Sequence, residues 1–207
     1  MPFDHNHHYH PLLLAQLPPG PGRALDVGCG SGRFARRLAA AGLSVDAIDR
    51  SAPMIRLAGA TGSPGPGEID FRRADITTQP LPSEHYSFIS CLASLHHVPF
   101  ETVTALREAL EPGGVLAVLG LARPSTITDH ARSLAAVPVN AAARLIAYAA
   151  DRLNGGVDAL PPAPVHLEFP RFTEVRADSQ RLLPGSTVRP LLFWRYLLTY
   201  RKPLGDG

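Results

Sequence analysis

The 207-residue chain carries 20 basic against 18 acidic residues, a net charge of +2, with 45% hydrophobic residues and a mean hydropathy of +0.01. That length suffices for one domain with a sizeable core. The near-neutral balance without a basic block argues against a nucleic-acid partner, and no apolar run is long enough to span a membrane.

The opening, MPFDHNHHYH, is polar and lacks a signal peptide's apolar centre, so a cytoplasmic chain is expected. Cys29 and Cys91 have no framework spacing and read as reduced thiols. His5, His7, His8 and His10 invite a metal reading, but their spacing matches no zinc signature and no Cys or acid cluster completes one, so no metal is expected. Tyr9–Leu17 has the spacing of a short amphipathic helix with Leu12, Leu13 and Leu17 inward, stopped by Pro18-Pro19-Gly20.

The chain is organised around Arg23–Leu57. Ala24–Val27 is an apolar run that predicts a buried strand, ending in Gly28-Cys29-Gly30-Ser31-Gly32. Arg33–Ala41 follows as a helix with Phe34, Leu38 and Ala41 on one face, and a second strand, Val45–Ile48, ends in Asp49. Strand, glycine turn, helix, strand and acid make the first half of a nucleoside-binding α/β sheet, with ligand expected at the carboxyl ends of the strands. A dinucleotide site wants G-x-G-x-x-G/A, and here the sixth position is Arg33, too bulky for close helix–sheet contact. Asp26, at the strand end, would oppose a pyrophosphate but suits a ligand carrying an ammonium and a sulfonium. At about 4 Å and an effective dielectric near 20, that pairing is worth roughly 4 kcal/mol before desolvation. The sign favours S-adenosylmethionine over NAD.

Asp49 has two compatible readings, acceptor for ribose hydroxyls and acid before a helix over Ser51–Ala60. Met54 falls in that helix, where core filling is the ordinary role of a methionine. After a Gly/Pro loop, Thr61–Gly67, come a strand over Ile69–Phe71, the segment Arg73-Ala74-Asp75-Ile76, and a strand over Ser87–Leu92 leading into Ala93-Ser94-Leu95-His96-His97-Val98. Phe100–Leu110 reads as a helix, stopped by Glu111-Pro112-Gly113-Gly114 before a strand over Val115–Leu121. Thr128–Ala136 and Asn140–Leu153 are Ala-rich and helical, Val157–Pro170 is a Pro-rich loop, and Thr173–Leu183 is a further helix. Leu191–Trp194 and Tyr196–Tyr200 are apolar, aromatic runs with strand character.

LDVGCGSG at Leu25–Gly32 resembles motif I of the class I S-adenosylmethionine-dependent methyltransferases. The D-x-S-x-x-M pattern at Asp49, Ser51 and Met54, the L-x-P-G-G-x-L pattern at Leu110–Leu116, and the L-H-H-V run at Leu95–Val98 agree in order. That last run resembles the quinone-biosynthesis-type, small-molecule branch. The chain departs from the family pattern at Tyr86-Ser87, where Phe-Asp is usual, away from the ligand edge. It also lacks the Asn/Asp-Pro-Pro-aromatic tetrapeptide of nucleobase amino-methyltransferases, again pointing away from nucleic acid.

The resemblance implies an α/β, Rossmann-like, seven-stranded and mostly parallel sheet with helices on both faces, an antiparallel C-terminal strand pair and a helical insertion after strand five. It divides the chain into an arm and lid helix (1–22), a cofactor-binding core (23–122), a helical cap (123–170) and a C-terminal helix with the closing strand pair (171–207). The closing pair falls on Leu191–Trp194 and Tyr196–Tyr200, with Arg189 and Arg195 as edge or turn charges. The implied cofactor is S-adenosylmethionine, held by Asp26, Gly28, Cys29, Gly30, Asp49, Arg50, Met54, Asp75, Ile76 and Leu92, with Tyr9 and its neighbouring histidines in a lid. Within that set, Asp75 takes the adenine amine, a solvated turn aspartate being the competing reading, the Ile76 N–H a ring nitrogen, and the Leu92 carbonyl the ammonium. His96 and His97 are the candidate bases, packed histidines being the competing reading. The insertion would cap the substrate opening or form a dimer surface, with His130, Arg144 and Tyr148 as possible substrate contacts. The expected activity is methyl transfer to a small molecule. The alternatives are a non-methylating S-adenosylmethionine binder and an NAD-dependent oxidoreductase.

Overall fold

The computed structural model describes residues 5–62, 65–123, 169–192 and 194–205. Its seven strands are β1 (Arg23–Val27), β2 (Ser44–Asp49), β3 (Ile69–Arg73), β4 (Tyr86–Leu92), β5 (Leu110–Leu121), β6 (Thr187–Pro190) and β7 (Arg195–Arg201). They form one sheet in the order β3-β2-β1-β4-β5-β7-β6, parallel from β3 to β5 and antiparallel through β7 and β6. Successive connections run outward from β1 to β3 and then restart at β4 on its other side. That reversal opens a crevice at the carboxyl ends of β1 and β4.

The helices are α1 (His5–His8), α2 (His10–Leu14), α3 (Arg33–Ala40), α4 (Ala52–Ala60), α5 (Thr102–Ala109) and α6 (Phe172–Leu182). The central strands are apolar at almost every position because both faces are covered, and side-chain alternation divides the core. Leu25, Val27, Ile89, Cys91, Leu116 and Val118 pack with Val103 and Leu106 of α5 and Val175 of α6. Ala24, Val45, Ala47, Phe88, Ala117 and Leu119 pack with Leu13 of α2 and Phe34, Ala35 and Leu38 of α3. A polar cluster sits on the first of these faces. The buried Asp46 accepts the Tyr86 hydroxyl at 2.8 Å, with Arg72 at 3.6 Å and Arg23 at 3.8 Å.

Three expectations need correction. Leu191, Leu192 and Trp194 fall in the connection of the closing hairpin, and the strand before it is Thr187–Pro190. Pro190 lacks an N–H for a ladder, Trp194 adopts φ +56°, and Leu192 and Trp194 are 39% and 48% exposed. Aromatic content mimicked a strand that the backbone does not form. The arm folds as two short turns broken at Tyr9 rather than one helix to Leu17, with Pro11 in the first turn of α2. Finally, Glu111–Gly114 lies within β5 as a register shift, since Leu110 already pairs with Tyr86 before Val115 pairs with Phe88. Gly113, at φ +79°, makes that irregularity possible. The predicted helices Thr128–Ala136 and Asn140–Leu153, with His130, Arg144 and Tyr148, lie outside the described residues.

Candidate active site

The crevice at the carboxyl edge has a volume of about 1230 Å³. Its floor is the glycine turn. Gly28, Gly30 and Gly32 all take left-handed backbone, at φ +72°, +54° and +76°. A Cβ on Gly28 would collide with the side chain of Ser94, and one on Gly32 would come within 2.6 Å of the Phe71 ring. The backbone N–H groups of Gly28 and Cys29 donate to the Ile48 carbonyl at 2.8 and 3.0 Å, and that of Gly30 donates to Asp49 Oδ2 at 2.9 Å. A dinucleotide's pyrophosphate needs such groups aimed outward; here they are spent tying the turn to β2.

Three carboxylates line the crevice from β1, β2 and the segment after β3, and their surroundings differ. Asp26 is 1% exposed; its Oδ1 accepts the Ser90 hydroxyl at 2.7 Å, while the buried Oδ2 has no hydrogen-bond partner among the described residues. Burial pushes its carboxyl up to about 7, the Ser90 hydroxyl and the nearby Ala35 N–H pull the other way, and Asp49 adds an upward push. Asp49 is fixed at both oxygens, by Gly30 N–H and by Ser51 N–H at 2.8 Å, while Ser51 caps α4 through the Met54 N–H. Its acid role at the helix entry is therefore present, and each oxygen keeps a second lone pair for hydroxyl donors. Asp75 Oδ1 accepts both the N–H and the hydroxyl of Thr77, at 2.9 and 2.7 Å, and those bonds hold its carboxyl below the usual range. Arg50 stands 4.0 Å from the other oxygen on the exposed rim.

Met54, Ile76 and Leu92 also line the crevice, as do Gly28, Cys29 and Gly30. Burial, reinforced by Asp26 and Asp49, pushes the Cys29 thiol up, so it is no nucleophile. His97 lines the crevice beside Leu95, Val98, Thr102 and Leu106. His96 is not among the lining residues. Its ring lies 3.9 Å from His97 and 5.2 Å from Phe169, a packed arrangement. Tyr9 is likewise absent from the wall: it is buried against the α3 side of the core, and its hydroxyl donates to the Leu192 carbonyl at 3.1 Å. The arm lines the crevice through Asn6 and His10 instead. Arg195 holds Asn6 Oδ1 with two donors, at 3.1 and 3.0 Å, and His10 packs edge-on against Phe34. Among the described residues no three His, Cys, Asp or Glu side chains converge as a metal site would.

Sequence reasoning missed Asn6, Ser90, Ser94 and Arg36, whereas His10 is one of the histidines beside Tyr9 that the resemblance assigns to a lid. Ser94 donates to the Val27 carbonyl at 2.7 Å and closes the turn from above. Arg36 reaches Ser31 and Ala58 carbonyls at 2.7 and 3.2 Å, joining the glycine turn to the end of α4. A serine inside the apolar strand run at position 90 was the one signal available; the others depend on long-range folding.

These residues fit S-adenosylmethionine. The orphaned Asp26 oxygen is an acceptor for a cationic amino group, and the pinned Asp49 carboxylate is an acceptor for vicinal hydroxyls.

Comparison with known proteins agrees. The profile of the family described as "Methyltransferase domain" matches residues 24–114. An uncharacterized methyltransferase of Mycobacterium tuberculosis is 35% identical over 209 residues, covering 98% of either chain. A ubiquinone biosynthesis O-methyltransferase of Xanthomonas axonopodis is 32% identical over 139 residues, 65% of this chain and 56% of that one. Among solved structures, a SAM-dependent methyltransferase of Methanosarcina mazei superposes with a TM-score of 0.58 at 21% identity, covering 92% of this chain and 97% of that one.

Proposed function

The chain belongs to the S-adenosylmethionine-dependent methyltransferases, and on that premise we propose that it methylates a small-molecule acceptor inside the crevice. The observation that carries this reading is the pairing of the buried Asp26 carboxylate with an apolar neighbouring wall of Leu95, Val98 and Leu106. That wall suits a compact organic acceptor. The relation to a ubiquinone biosynthesis O-methyltransferase and the lack of a basic block support the same class.

Bound there, S-adenosylmethionine supplies an electrophilic methyl group on a positively charged sulfur that leaves as a neutral thioether. In our reading Asp26 and the Leu92 carbonyl take the ammonium, Asp49 the ribose, and Arg50, Met54, Asp75 and Ile76 the adenine end. Gly28, Cys29 and Gly30 form the floor. With so good a leaving group, the chain's work is alignment and exclusion of water. His97, on the crevice wall, would take a proton from an oxygen or nitrogen acceptor as it reacts. Among the described residues no helix is long and apolar enough to cross a membrane. The free thiols of Cys29 and Cys91 suit a reducing cytoplasm.

The test uses methyl-labelled S-adenosylmethionine with a cell extract divided into metabolite, protein and nucleic-acid fractions. Label appearing in the metabolite fraction, dependent on the intact chain, is the expected result. Label confined to macromolecules would overturn the small-molecule assignment.

A further inference from the structure

Asp26 and Ser90 are register partners on the adjacent parallel strands β1 and β4, so their side chains rise from the same face of the sheet. Ser90 is fully buried in a strand that is otherwise almost wholly apolar. Its hydroxyl oxygen lies 2.7 Å from Asp26 Oδ1 and 3.4 Å from the Leu25 carbonyl. A hydroxyl has one proton, and the shorter, charge-assisted contact takes it. Held by Oδ1, the carboxylate keeps Oδ2 buried, unbonded among the described residues and on the crevice wall.

We propose that Ser90 is a positioning residue for cofactor binding, fixing the Asp26 carboxylate so that its second oxygen meets the cationic amino group of S-adenosylmethionine. This rests on the reading that Asp26 receives that end of the cofactor. Burial drives Asp26 toward neutrality near physiological pH, and the Ser90 bond favours the charged form against it. The other titratable groups acting on or beside it are Asp49 from β2, which opposes its ionisation, and the thiols of Cys29 and Cys91, kept neutral by burial. Ser90 thus acts on affinity through the charge state of its partner.

The experiment is calorimetric titration of S-adenosylhomocysteine, which keeps the amino group, into the purified full chain from pH 5.5 to 8.5. Melting temperatures are recorded alongside. Wild-type affinity should rise through a midpoint near 7. In Ser90→Ala the loss of a hydrogen bond to the charged form moves that midpoint up by about one unit. Affinity then drops about tenfold at pH 6 but stays within about twofold of wild type at pH 8.5. Ser90→Thr, which keeps the hydroxyl, should restore the wild-type midpoint, and Asp26→Asn should abolish the inflection. If Ser90→Ala does not fold, Ser90→Cys, a weaker donor, should show the same upward shift. A deficit equal at every pH, or an inflection that survives in Asp26→Asn, overturns the assignment. A wild-type chain that binds at no pH overturns the proposed function and this inference with it.

Discussion

Asp26→Asn should make the ligand-free protein more stable while impairing cofactor binding. Burial lifts this carboxyl from the ordinary 3.8 to about 7. Its folded value therefore lies above its unfolded one. Between pH 4 and 7 the folded chain retains a proton that the unfolded chain has released, and each pH unit removes about 1.4 kcal/mol of stability. Over about three units the cost reaches about 4 kcal/mol and then stays constant above pH 7. Asparagine carries no such cost, and the Ser90 hydroxyl can accept from an amide as readily as it donates to a carboxylate. Urea unfolding of both ligand-free proteins from pH 4.5 to 8.5 gives the measurement. The variant should gain little at pH 4.5 and about 4 kcal/mol at pH 8, roughly 10 °C in melting temperature. S-adenosylhomocysteine should then raise the wild type far more than the variant. A stability difference that does not change with pH would refute the reasoning.

Three other outcomes are expected. Gly28→Ala forces a side chain into left-handed backbone and against Ser94, costing about 2–4 kcal/mol in urea unfolding, and adding Ser94→Gly should recover only the collision. Tyr86→Phe removes a buried bond to the Asp46 carboxylate and should cost about 1.5–3 kcal/mol, whereas Arg23→Ala, with a half-exposed guanidinium at 3.8 Å, should cost under about 1 kcal/mol. His97→Ala should lower kcat about a hundredfold or more, with S-adenosylhomocysteine affinity unchanged by titration; His96→Ala, off the crevice wall, should leave kcat within a few-fold.

The sheet was legible because its signals are local. The apolar runs around Asp26, Asp49 and Leu92 lie in strands to within a residue or two of their predicted limits, and the glycine turn announced the crevice. The closing hairpin was misread because Leu191–Trp194 has strand composition, while the backbone there obeys Pro190 and a left-handed Trp194. Tyr9 was misread for a different reason. The resemblance pointed to an arm over the cofactor, but the break between two short turns sends Tyr9 into the core and brings Asn6 and His10 to the wall. Asn6 and Tyr9 are held there by Arg195 and Leu192, more than 180 positions away, contacts that no local pattern encodes.

The three acids show why sequence can mark a site without assigning work within it. In the chain each is a carboxylate at or just beyond a strand's carboxyl end. Folding leaves Asp26 buried with one oxygen unbonded among the described residues, Asp49 bound at both oxygens by backbone N–H groups, and Asp75 held charged by Thr77 at the rim. A buried carboxylate oxygen without a partner gains most from a cationic donor, a doubly bound carboxylate is a rigid acceptor for neutral donors, and a rim acid contributes direction more than strength. The order of these environments matches a ligand that is cationic at one end, hydroxylated in the middle and an aromatic amine at the other. The three carboxylates thus differ in solvation along the edge, and Ser90, which carries no motif, is the side chain bonded to the most buried of them.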